Sequence, residues 1–376
     1  MSKKILFCTP FDLSAGSGIA RCSRHIFEYY QMSGRADICL QILPMDRKHY
    51  VSGNSSVLKR AYSGVSEYLG IIKDIRKKVK EGHYDIVHIA SSASLSLLKD
   101  LLCVKMLRRM KVPSIIHFHF GRIPEVIARD GWEWKMIRKV AKKAARIVVI
   151  DQSSYEALTQ YGIINVDYIP NPLSPTIQLL AQQNSELPRI KNQVLFVGHV
   201  VKTKGIFELI EACGELPDVK LKVLGLGNES IVKELQSLAN KYRKGDWVEF
   251  TGNLPAEDVI REMCQCAVFA LPTYTEGFPN VILESMACAC PIVTTNVGAI
   301  PEMLDIPNGP NYGICVAPKN VEDLRSAISR MLTDMDYAKS CGENAQKRVR
   351  EMFSMPVVWE RMCVIWNKTV DEITIK

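Results

Sequence analysis

The hydrophobic pattern of the chain repeats one unit: a short apolar run, a polar loop and an amphipathic stretch. Each apolar run is rich in branched or aromatic side chains, which is typical of a strand that is buried on both faces. The stretches between them carry apolar residues at the spacing of a helix. The predicted strands are Lys4–Thr9, Ala36–Leu43, Tyr84–Ile89, Ser114–Phe120, Arg146–Ile150, Val166–Ile169, Gln193–Val197, Lys220–Leu224, Trp247–Thr251, Ala267–Leu271, Pro291–Thr295 and Ile314–Val316. Strands that alternate with helices predict an α/β protein with two doubly wound, Rossmann-like domains, which we expect to face each other across a cleft.

A proline-rich segment separates the two halves of this pattern. Pro170, Pro172 and Pro175 lie within six residues and can continue neither a helix nor a central strand. We therefore predict an N-terminal domain over residues 1–170 and a C-terminal domain over residues 171–355. Residues 356–376 form an amphipathic helix that either packs back across the domain junction or caps the second domain. Residues 45–66 are polar and are predicted to be a loop.

The composition is that of an ordered globular protein, with 47% hydrophobic and 23% charged residues. No apolar run is long enough to span a bilayer, and the first apolar run is interrupted by Pro10 and Asp12, as expected for a strand and not for a signal peptide. The twelve cysteines are scattered, and the two closely spaced pairs have no clustered histidine beside them. We interpret them as free thiols of a cytoplasmic protein and not as zinc ligands.

The net charge of +8 is distributed unevenly. Residues 1–170 hold 27 Lys and Arg against 15 Asp and Glu, whereas residues 171–376 hold 21 against 25. The basic excess is concentrated in helical segments at 76–80, 105–111 and 138–146. Each cluster alone is interpreted as a solvated helix face, but three on one half favour an anionic membrane surface as a second interpretation, at the inner face of the membrane. Nucleic acid is disfavoured because aromatic residues are not interleaved with the basic ones.

The strongest candidate for a site is the segment from Leu271 to Ala289, where a strand, a loop and a helix follow one another. Glu276 and Glu284 lie eight positions apart across the junction between loop and helix. A carboxylate at Glu284 can accept both hydroxyls of a ribose. The alternative for Glu284 is a first-turn glutamate that is favoured by the helix dipole. Glu276, in the loop, lies closer to the position that a transferred group would take.

Backbone amides in the same loop can donate hydrogen bonds to a phosphate or a sugar. Gly277, Phe278 and Asn280 each carry an N–H group, whereas Pro279 has none. A helix start behind such a loop favours an anion. These amides therefore extend the candidate site from the two carboxylates to the start of the helix.

Two further loops follow predicted strands and contain glycine. Gly16, Ser17 and Gly18 lie between the first strand and the first helix, where glycines let the backbone approach a ligand. Lys204 lies in the loop 198–205 and can provide a positive charge to a phosphate, although a solvated surface lysine is an equal alternative. A lone Gly-x-Gly sequence marks a tight turn as often as it marks a binding site.

One histidine stands at a position where open α/β sheets present ligand-contacting side chains. His119 lies at the carboxyl end of its predicted strand, just before Gly121. His117 points to the same side of the strand and is interpreted as a packed, hydrogen-bonded histidine. The two histidines could ligate a metal only with a third ligand, and none stands at a suitable spacing.

The segment Glu276–Glu284 resembles the Glu-x7-Glu motif of retaining, nucleotide-sugar-dependent glycosyltransferases, in particular glycosyltransferase family 4 with the two-domain GT-B fold. The resemblance covers nearly the whole chain. It includes Gly16–Gly18 as the acceptor-side loop, Pro170–Asn171 as the linker, Gly198–Gly205 as the phosphate loop and Gly298–Glu302 as the Gly-x-Pro-Glu element. Ala299 stands where that element commonly has glycine.

The resemblance implies a role for each matching residue. Glu284 would hold the ribose hydroxyls of the donor, and Glu276 with the amides behind it would hold the donor sugar. Lys204 would neutralise the leaving diphosphate, and His119 would contact the donor sugar. The remaining donor-binding residues would be Gly198, His199, Gly277, Phe278, Asn280 and Val281. The family's mechanism uses attack on the face from which the phosphate leaves, so no protein nucleophile is required. No Asp-x-Asp sequence stands in a loop at the end of a strand, so neither a metal nor another cofactor is implied.

One position departs from the family's pattern. The family usually has arginine directly after the first glycine of the phosphate loop, where this chain has His199. A neutral imidazole donates one hydrogen bond and carries no charge. Donor binding would then depend more on Lys204, and we expect it to strengthen as protonation adds charge to His199.

These observations predict a hexosyltransferase that uses a nucleotide diphosphate sugar, with UDP favoured over GDP. The acceptor is expected to be a glycan or a lipid-linked glycan in cell-surface polysaccharide assembly. A nucleotide-sugar epimerase on the same fold, which needs no acceptor, is one alternative. A non-catalytic nucleotide-sugar binder is another, and a phosphorylase is disfavoured because no pyridoxal-binding signature is present.

Overall fold

The computed structural model describes residues 2–12, 18–46, 57–306 and 311–374, and the side chains of all of these except 57–65, 373 and 374. The chain forms two compact units. Unit 1 comprises Met1–Asn171 together with Val358–Lys376, and unit 2 comprises Pro172–Val357. Each unit contains one six-stranded parallel sheet with helices, as the alternating pattern predicts.

Unit 1 contains the first six strands of the chain. Its strands are β1 (Lys3–Thr9), β2 (Ile38–Pro44), β3 (Ile86–Ser91), β4 (Ser114–Phe118), β5 (Arg146–Val149) and β6 (Val166–Tyr168). Its helices are α1 (Gly18–Ser33), α2 (Val57–Gly82), α3 (Ser96–Arg109), α4 (Ile123–Arg129), α5 (Trp132–Ala141) and α6 (Gln152–Gln160). The strand order is β2-β1-β3-β4-β5-β6. The chain passes from β1 to β2 on one side of β1 and then crosses to β3 on the other side. This reversal creates a topological switch point between β1 and β3.

Unit 2 repeats the same plan. Its strands are β7 (Ile190–Val197), β8 (Lys220–Leu224), β9 (Val248–Gly252), β10 (Cys266–Leu271), β11 (Ile292–Thr295) and β12 (Ile314–Val316). Its helices are α7 (Pro175–Gln183), α8 (Ile206–Gly214), α9 (Glu229–Tyr242), α10 (Ala256–Gln265), α11 (Asn280–Ala287), α12 (Ile300–Met303), α13 (Val321–Thr333) and α14 (Met335–Met352), with a 3-10 turn at Lys202–Lys204. The order β12-β11-β10-β7-β8-β9 places the switch point of this sheet between β7 and β10.

Burial explains why the apolar runs become strands. Ile5 to Cys8 in β1 and Val268 to Leu271 in β10 are at most 1% exposed, so both faces of each sheet are covered. Parallel strands of this kind carry apolar side chains on both faces, and the sequence shows a continuous run where a half-exposed strand would alternate. All twelve predicted strands are present, with ends that differ by a few residues.

The last helix, α15 (Met355–Thr374), completes unit 1. Trp359 and Trp366 are almost fully buried, and Trp366 donates from Nε1 to Nδ1 of His88 at 3.0 Å. Near the end of the helix, Thr369 accepts a hydrogen bond of 3.0 Å from Nε of Arg146. Residues from the end of the chain thus stabilise the sheet that its first residues begin.

Two predictions about local structure are wrong. Helix α2 begins at Val57, so residues 57–66 are helical where a loop was predicted, and residues 47–56 of that loop lie outside the described residues. Arg146 was grouped with a basic helical cluster, but it begins β5, is buried and forms an ion pair of 2.7 Å with Asp167. Arg146 therefore belongs to the interior of unit 1 and not to its basic surface.

All twelve cysteines are free thiols, and ten of them are buried. Burial raises the pKa of the Cys213 thiol to about 12, which keeps it protonated and unreactive.

Among the helices of the described part of the chain, none is both long and apolar enough to cross a bilayer.

Candidate active site

The loops after β7 and β10 meet at the switch point of the second sheet. The Tyr274 amide donates to the carbonyl of Thr203 at 2.8 Å, and the Thr273 hydroxyl donates to the same oxygen at 3.3 Å. Two adjacent parallel strands whose chains leave in opposite directions open a crevice at this edge, where open α/β sheets bind ligands. The segments that the sequence singled out, 198–205 and 271–289, are therefore held together.

Lys204 and Glu276 form an ion pair within this crevice. Nζ of Lys204 donates to Oε1 of Glu276, although the two residues are 72 positions apart in the chain. Their side chains are 25% and 11% exposed. An ammonium and a carboxylate in this shielded position neutralise each other, and an incoming diphosphate would compete with Glu276 for the lysine. The pair provides one positive group for an anion and one acceptor for hydroxyl groups.

Two glycines allow the loops to come this close. Gly205 has φ +71°, and a Cβ at this position would lie 1.9 Å from the Pro272 carbonyl oxygen. Gly298 follows β11 with φ +56°, and its Cβ would lie 2.3 Å from the carbonyl oxygen of Glu276. Any other residue would be strained at both positions and would displace the backbone that carries Lys204 or Glu276.

The other predicted donor-binding residues surround this pair along the chain. Gly277 accepts a hydrogen bond of 2.9 Å from the Ala299 amide, and Phe278 is buried against Phe353 with ring centroids 5.7 Å apart. The remaining members, Asn280, Val281 and Glu284, are half-buried residues in the first five positions of α11. Rigid packing at Phe278 thus fixes the start of the helix that carries Glu284.

The phosphate-loop residues Gly198 and His199 lie at the end of β7. The Gly198 amide donates to the carbonyl of Leu224 at 3.0 Å, which ties this loop to β8. His199 is exposed, and its carbonyl accepts from the Val201 amide at 2.9 Å. Of the predicted acceptor-side loop, Gly18 begins α1, and Gly16 and Ser17 lie outside the described residues.

His119 belongs to unit 1, directly after β4, where its amide donates to the Ser91 carbonyl at 2.8 Å. Its ring is stacked 4.0 Å from that of His117, which lies 5.3 Å from the ring of His88. Burial lowers the pKa of His88 to about 3 and that of His119 to about 4, the His119 imidazole adds to the effect at His88, and burial lowers the pKa of His117 well below its usual value. The row of His88, His117 and His119 is therefore uncharged at neutral pH, and His119 offers a neutral imidazole to a ligand.

Sequence reasoning missed the contacts that support this site. Tyr274 donates its hydroxyl to Glu208 on α8, and Trp366 orients His88 from the other end of the chain. Tyr274 stands two residues before Glu276, a spacing that could have drawn attention to it. Thr203, by contrast, contributes its backbone carbonyl, so the identity of its side chain gives no indication of the contact.

The described residues contain no group of three or more His, Cys, Asp or Glu side chains arranged to hold a metal. Lys204 is a positive side chain at the second switch point that could meet an anion. The backbone amides of Gly277, Phe278 and Asn280 can add to it.

Both halves of the chain match known families. Residues 42–176 match the model of Glycosyltransferase Family 4, and residues 180–348 match that of Glycosyl transferases group 1. An MMP alpha-(1->4)-mannosyltransferase of Mycolicibacterium hassiacum is 24% identical over 78% of this chain and 73% of its own length. The capsular polysaccharide biosynthesis glycosyltransferase CapM of Staphylococcus aureus is 31% identical, and the chain spans about half the length of this relative, 46%.

Solved structures show the same fold. A sucrose-phosphate synthase from Thermosynechococcus elongatus superimposes with a TM-score of 0.75, at 19% identity, over 97% of this chain and 98% of its own. Anabaena HepE, solved in complex with UDP-glucose, has a TM-score of 0.68 at 18% identity over 97% of this chain and 99% of its own. At these identities the likeness concerns the fold.

The two doubly wound units have the GT-B fold, and the matching family models identify an enzyme that moves a sugar from a nucleotide sugar. Within that class, residues 42–176 belong to Glycosyltransferase Family 4 and residues 180–348 to Glycosyl transferases group 1. The resemblance drawn from the Glu-x7-Glu segment is thus confirmed.

Proposed function

We propose that the protein is a retaining hexosyltransferase that uses a UDP-sugar as donor and a glycan or lipid-linked glycan as acceptor in cell-surface polysaccharide assembly. The observation that carries the proposal is the Lys204–Glu276 pair at the switch point of the second sheet. One group of the pair suits the diphosphate and the other suits the hydroxyls of the transferred sugar. Relatives named for capsular polysaccharide and teichuronic acid biosynthesis support the biological setting.

Retention follows from the chemistry available at such a site. The leaving diphosphate, held by Lys204, accepts the proton of the attacking acceptor hydroxyl, and the new bond forms on the face that the phosphate leaves. Positive charge at Lys204 stabilises the negative charge that develops on the phosphate. His119, which is neutral, would hold the donor sugar through one hydrogen bond without a charge of its own.

We expect donor binding to depend on Glu284. UDP-, GDP- and ADP-glucose are titrated into the protein by calorimetry, and UDP-glucose should bind most tightly. Glu284→Gln should then weaken UDP binding by about tenfold, because a hydrogen bond to a charged group contributes about 1.5–3 kcal/mol. The same variant should weaken the binding of 2′-deoxy-UDP less, since that ligand keeps only one of the two ribose hydroxyls that Glu284 would accept.

Glu234→Gln provides the control, since Glu234 is exposed on α9 of the same unit. If Glu284→Gln lowers the affinities for UDP and 2′-deoxy-UDP by the same factor, Glu284 does not bind the ribose hydroxyls. Release of UDP together with a free sugar that is the epimer of the donor sugar, without any acceptor, would instead favour an epimerase.

A membrane surface is the proposed location of the acceptor, and helices α2 and α3, which pack together, carry the supporting pattern. On α2, exposed Leu69 shares one helix face with exposed Lys73, Arg76 and Lys80. On α3 and the residue before it, Leu95, Leu98 and Leu102 are 64%, 51% and 47% exposed, and they share a face with Lys105 and Arg109. Leucines beside a row of basic residues are typical of a surface that lies on anionic lipid.

We expect the protein to bind vesicles of phosphatidylcholine and phosphatidylglycerol, and to release them as salt is raised. Replacing Lys73, Arg76 and Lys80 by Gln should weaken binding by about two orders of magnitude, at about 1 kcal/mol for each basic residue. The control replaces Lys220, Lys241 and Lys244, which are exposed on unit 2. Vesicle binding that is insensitive to salt, or equally weakened by both triple variants, would contradict the proposal.

A further inference from the structure

A cavity of about 350 Å³ lies at the switch point of the first sheet, at the carboxyl ends of β1, β2 and β3. Its volume is within the range of small-molecule sites in proteins. Its wall includes Asp46, Glu67, Asp74, Ser91 and Lys99. The cavity belongs wholly to unit 1, whereas the predicted donor-binding residues lie in unit 2.

A buried ammonium lines this cavity. The side chain of Lys99 is 5% exposed, and its Nζ donates to Oδ1 of Asp100 at 2.7 Å. Oδ2 of Asp100 accepts from the Ser91 hydroxyl, so the carboxylate is held from both sides. Burial lowers the pKa of Lys99, but attraction to Asp100 outweighs it and leaves the pKa above its usual value. An ammonium has three N–H donors, and Asp100 takes one of them.

Carboxylates line the opposite wall. Glu67 and Asp74 stand two helical turns apart on one face of α2. Oε1 of Glu67 is buried without a hydrogen-bond partner among the described residues. A buried carboxylate oxygen without a donor is costly, and a ligand hydroxyl inside the cavity would satisfy it. Asp46 instead accepts from the amides of Phe11 and Asp12 at 2.6 and 2.8 Å, which fixes the wall after β1.

The charge of the lining selects against anions. Three carboxylates, Asp46, Glu67 and Asp74, face the cavity with one ammonium, and Asp100 behind the wall already balances that ammonium. Carboxylates that accept hydrogen bonds, beside one donor group, suit a molecule with many hydroxyls and no negative charge. A phosphate in this cavity would be repelled.

We propose that this cavity binds an uncharged, hydroxyl-rich sugar unit of the acceptor, read by Glu67, Asp74 and Lys99. The proposal rests on the transferase function proposed above. His119, the predicted sugar-contacting residue of unit 1, lies beside the cavity, because its amide donates to the carbonyl of Ser91 in the cavity wall. An acceptor sugar in the cavity would thus lie at the sheet edge that presents His119.

The test uses the full chain saturated with UDP and eight probes in saturation-transfer NMR. The probes are glucose, galactose, mannose and N-acetylglucosamine, each with its 6-phosphate. At least one neutral sugar should bind, and its 6-phosphate should bind more weakly. Glu67→Gln and Asp74→Asn should each lower the affinity for the neutral sugar by about tenfold, as expected when a hydrogen bond to a charged group is lost.

Glu81→Gln is the matched control, since Glu81 is exposed near the end of the same helix and outside the cavity wall. It should bind the neutral sugar like the wild type. Tryptophan fluorescence, to which the buried Trp134, Trp359 and Trp366 of unit 1 contribute, checks that each variant is folded.

Three results would overturn the proposal: no neutral sugar binds, the phosphate binds more tightly than its parent, or the Glu67 and Asp74 variants match the Glu81 variant. UDP binding separates this proposal from the proposed function. Loss of sugar binding with intact UDP binding would reject only the acceptor cavity, whereas a wild-type chain that binds no nucleotide would reject the transferase itself.

Discussion

Removing either partner of the Lys204–Glu276 pair should lower the turnover rate by about two orders of magnitude or more. This is the usual effect of removing one side chain that stabilises the charge of the transition state. Lys204→Ala removes the charge that stabilises the leaving diphosphate. Glu276→Ala removes an acceptor for sugar hydroxyls and leaves Lys204 without its partner in a shielded position. The measurement is the rate of UDP release from a UDP-sugar with water as acceptor, so that it does not depend on knowing the natural acceptor.

Lys202→Ala is the control, because Lys202 is exposed in the same 3-10 turn and carries the same charge. Its rate should stay close to that of the wild type. Because the two residues contact each other, the double variant should lose less than the sum of the two single losses, as measured in free energy. Near-wild-type rates for both single variants would refute the roles assigned to this pair.

Gly205→Ala should damage both stability and nucleotide binding. A Cβ would lie 1.9 Å from the Pro272 carbonyl oxygen, so the loop that carries Lys204 must move away from β10. We expect UDP affinity to fall by at least about tenfold, since a displaced lysine loses a hydrogen bond to a charged group. Calorimetric titration with UDP and urea unfolding measure the two effects.

Gly252→Ala is a closely matched control. Gly252 has the same φ of +71° and lies in the same unit, but nothing is within 4 Å of its Cβ position. It should lose about 1–2 kcal/mol of stability through the left-handed backbone alone and keep its affinity for UDP. If the two variants lose equal stability and both bind UDP normally, contact between the two loops is not required for the site.

The local parts of the fold could be predicted from the sequence, because each depends on a few neighbouring residues. Buried parallel strands appear as continuous apolar runs, and all twelve were predicted. The start of α2 was missed because Gly53, Ser55 and Ser56 gave a strong loop signal. The helical spacing of Val57, Leu58, Tyr62 and Val65 was the available counter-signal.

The order of the strands could not be predicted in the same way. The sequence indicated that Lys204 and Glu276 each follow a strand, but their contact requires β7 and β10 to be neighbours, and strand order depends on packing between distant segments. The bond from Trp366 to His88 spans 278 positions, and the pattern showed only that the last helix was amphipathic. Distant pairs of this kind leave no periodic signal in a single chain.

The membership of α15 in unit 1 has a consequence for how the chain is made. The first 171 residues are synthesised before unit 2, yet Trp359 and Trp366, which pack in unit 1, are synthesised only after it. At about 5–20 residues per second, that interval is roughly 10–40 s. During it, we expect the surface around His88 that Trp366 contacts in the folded protein to be open to solvent and to other nascent chains.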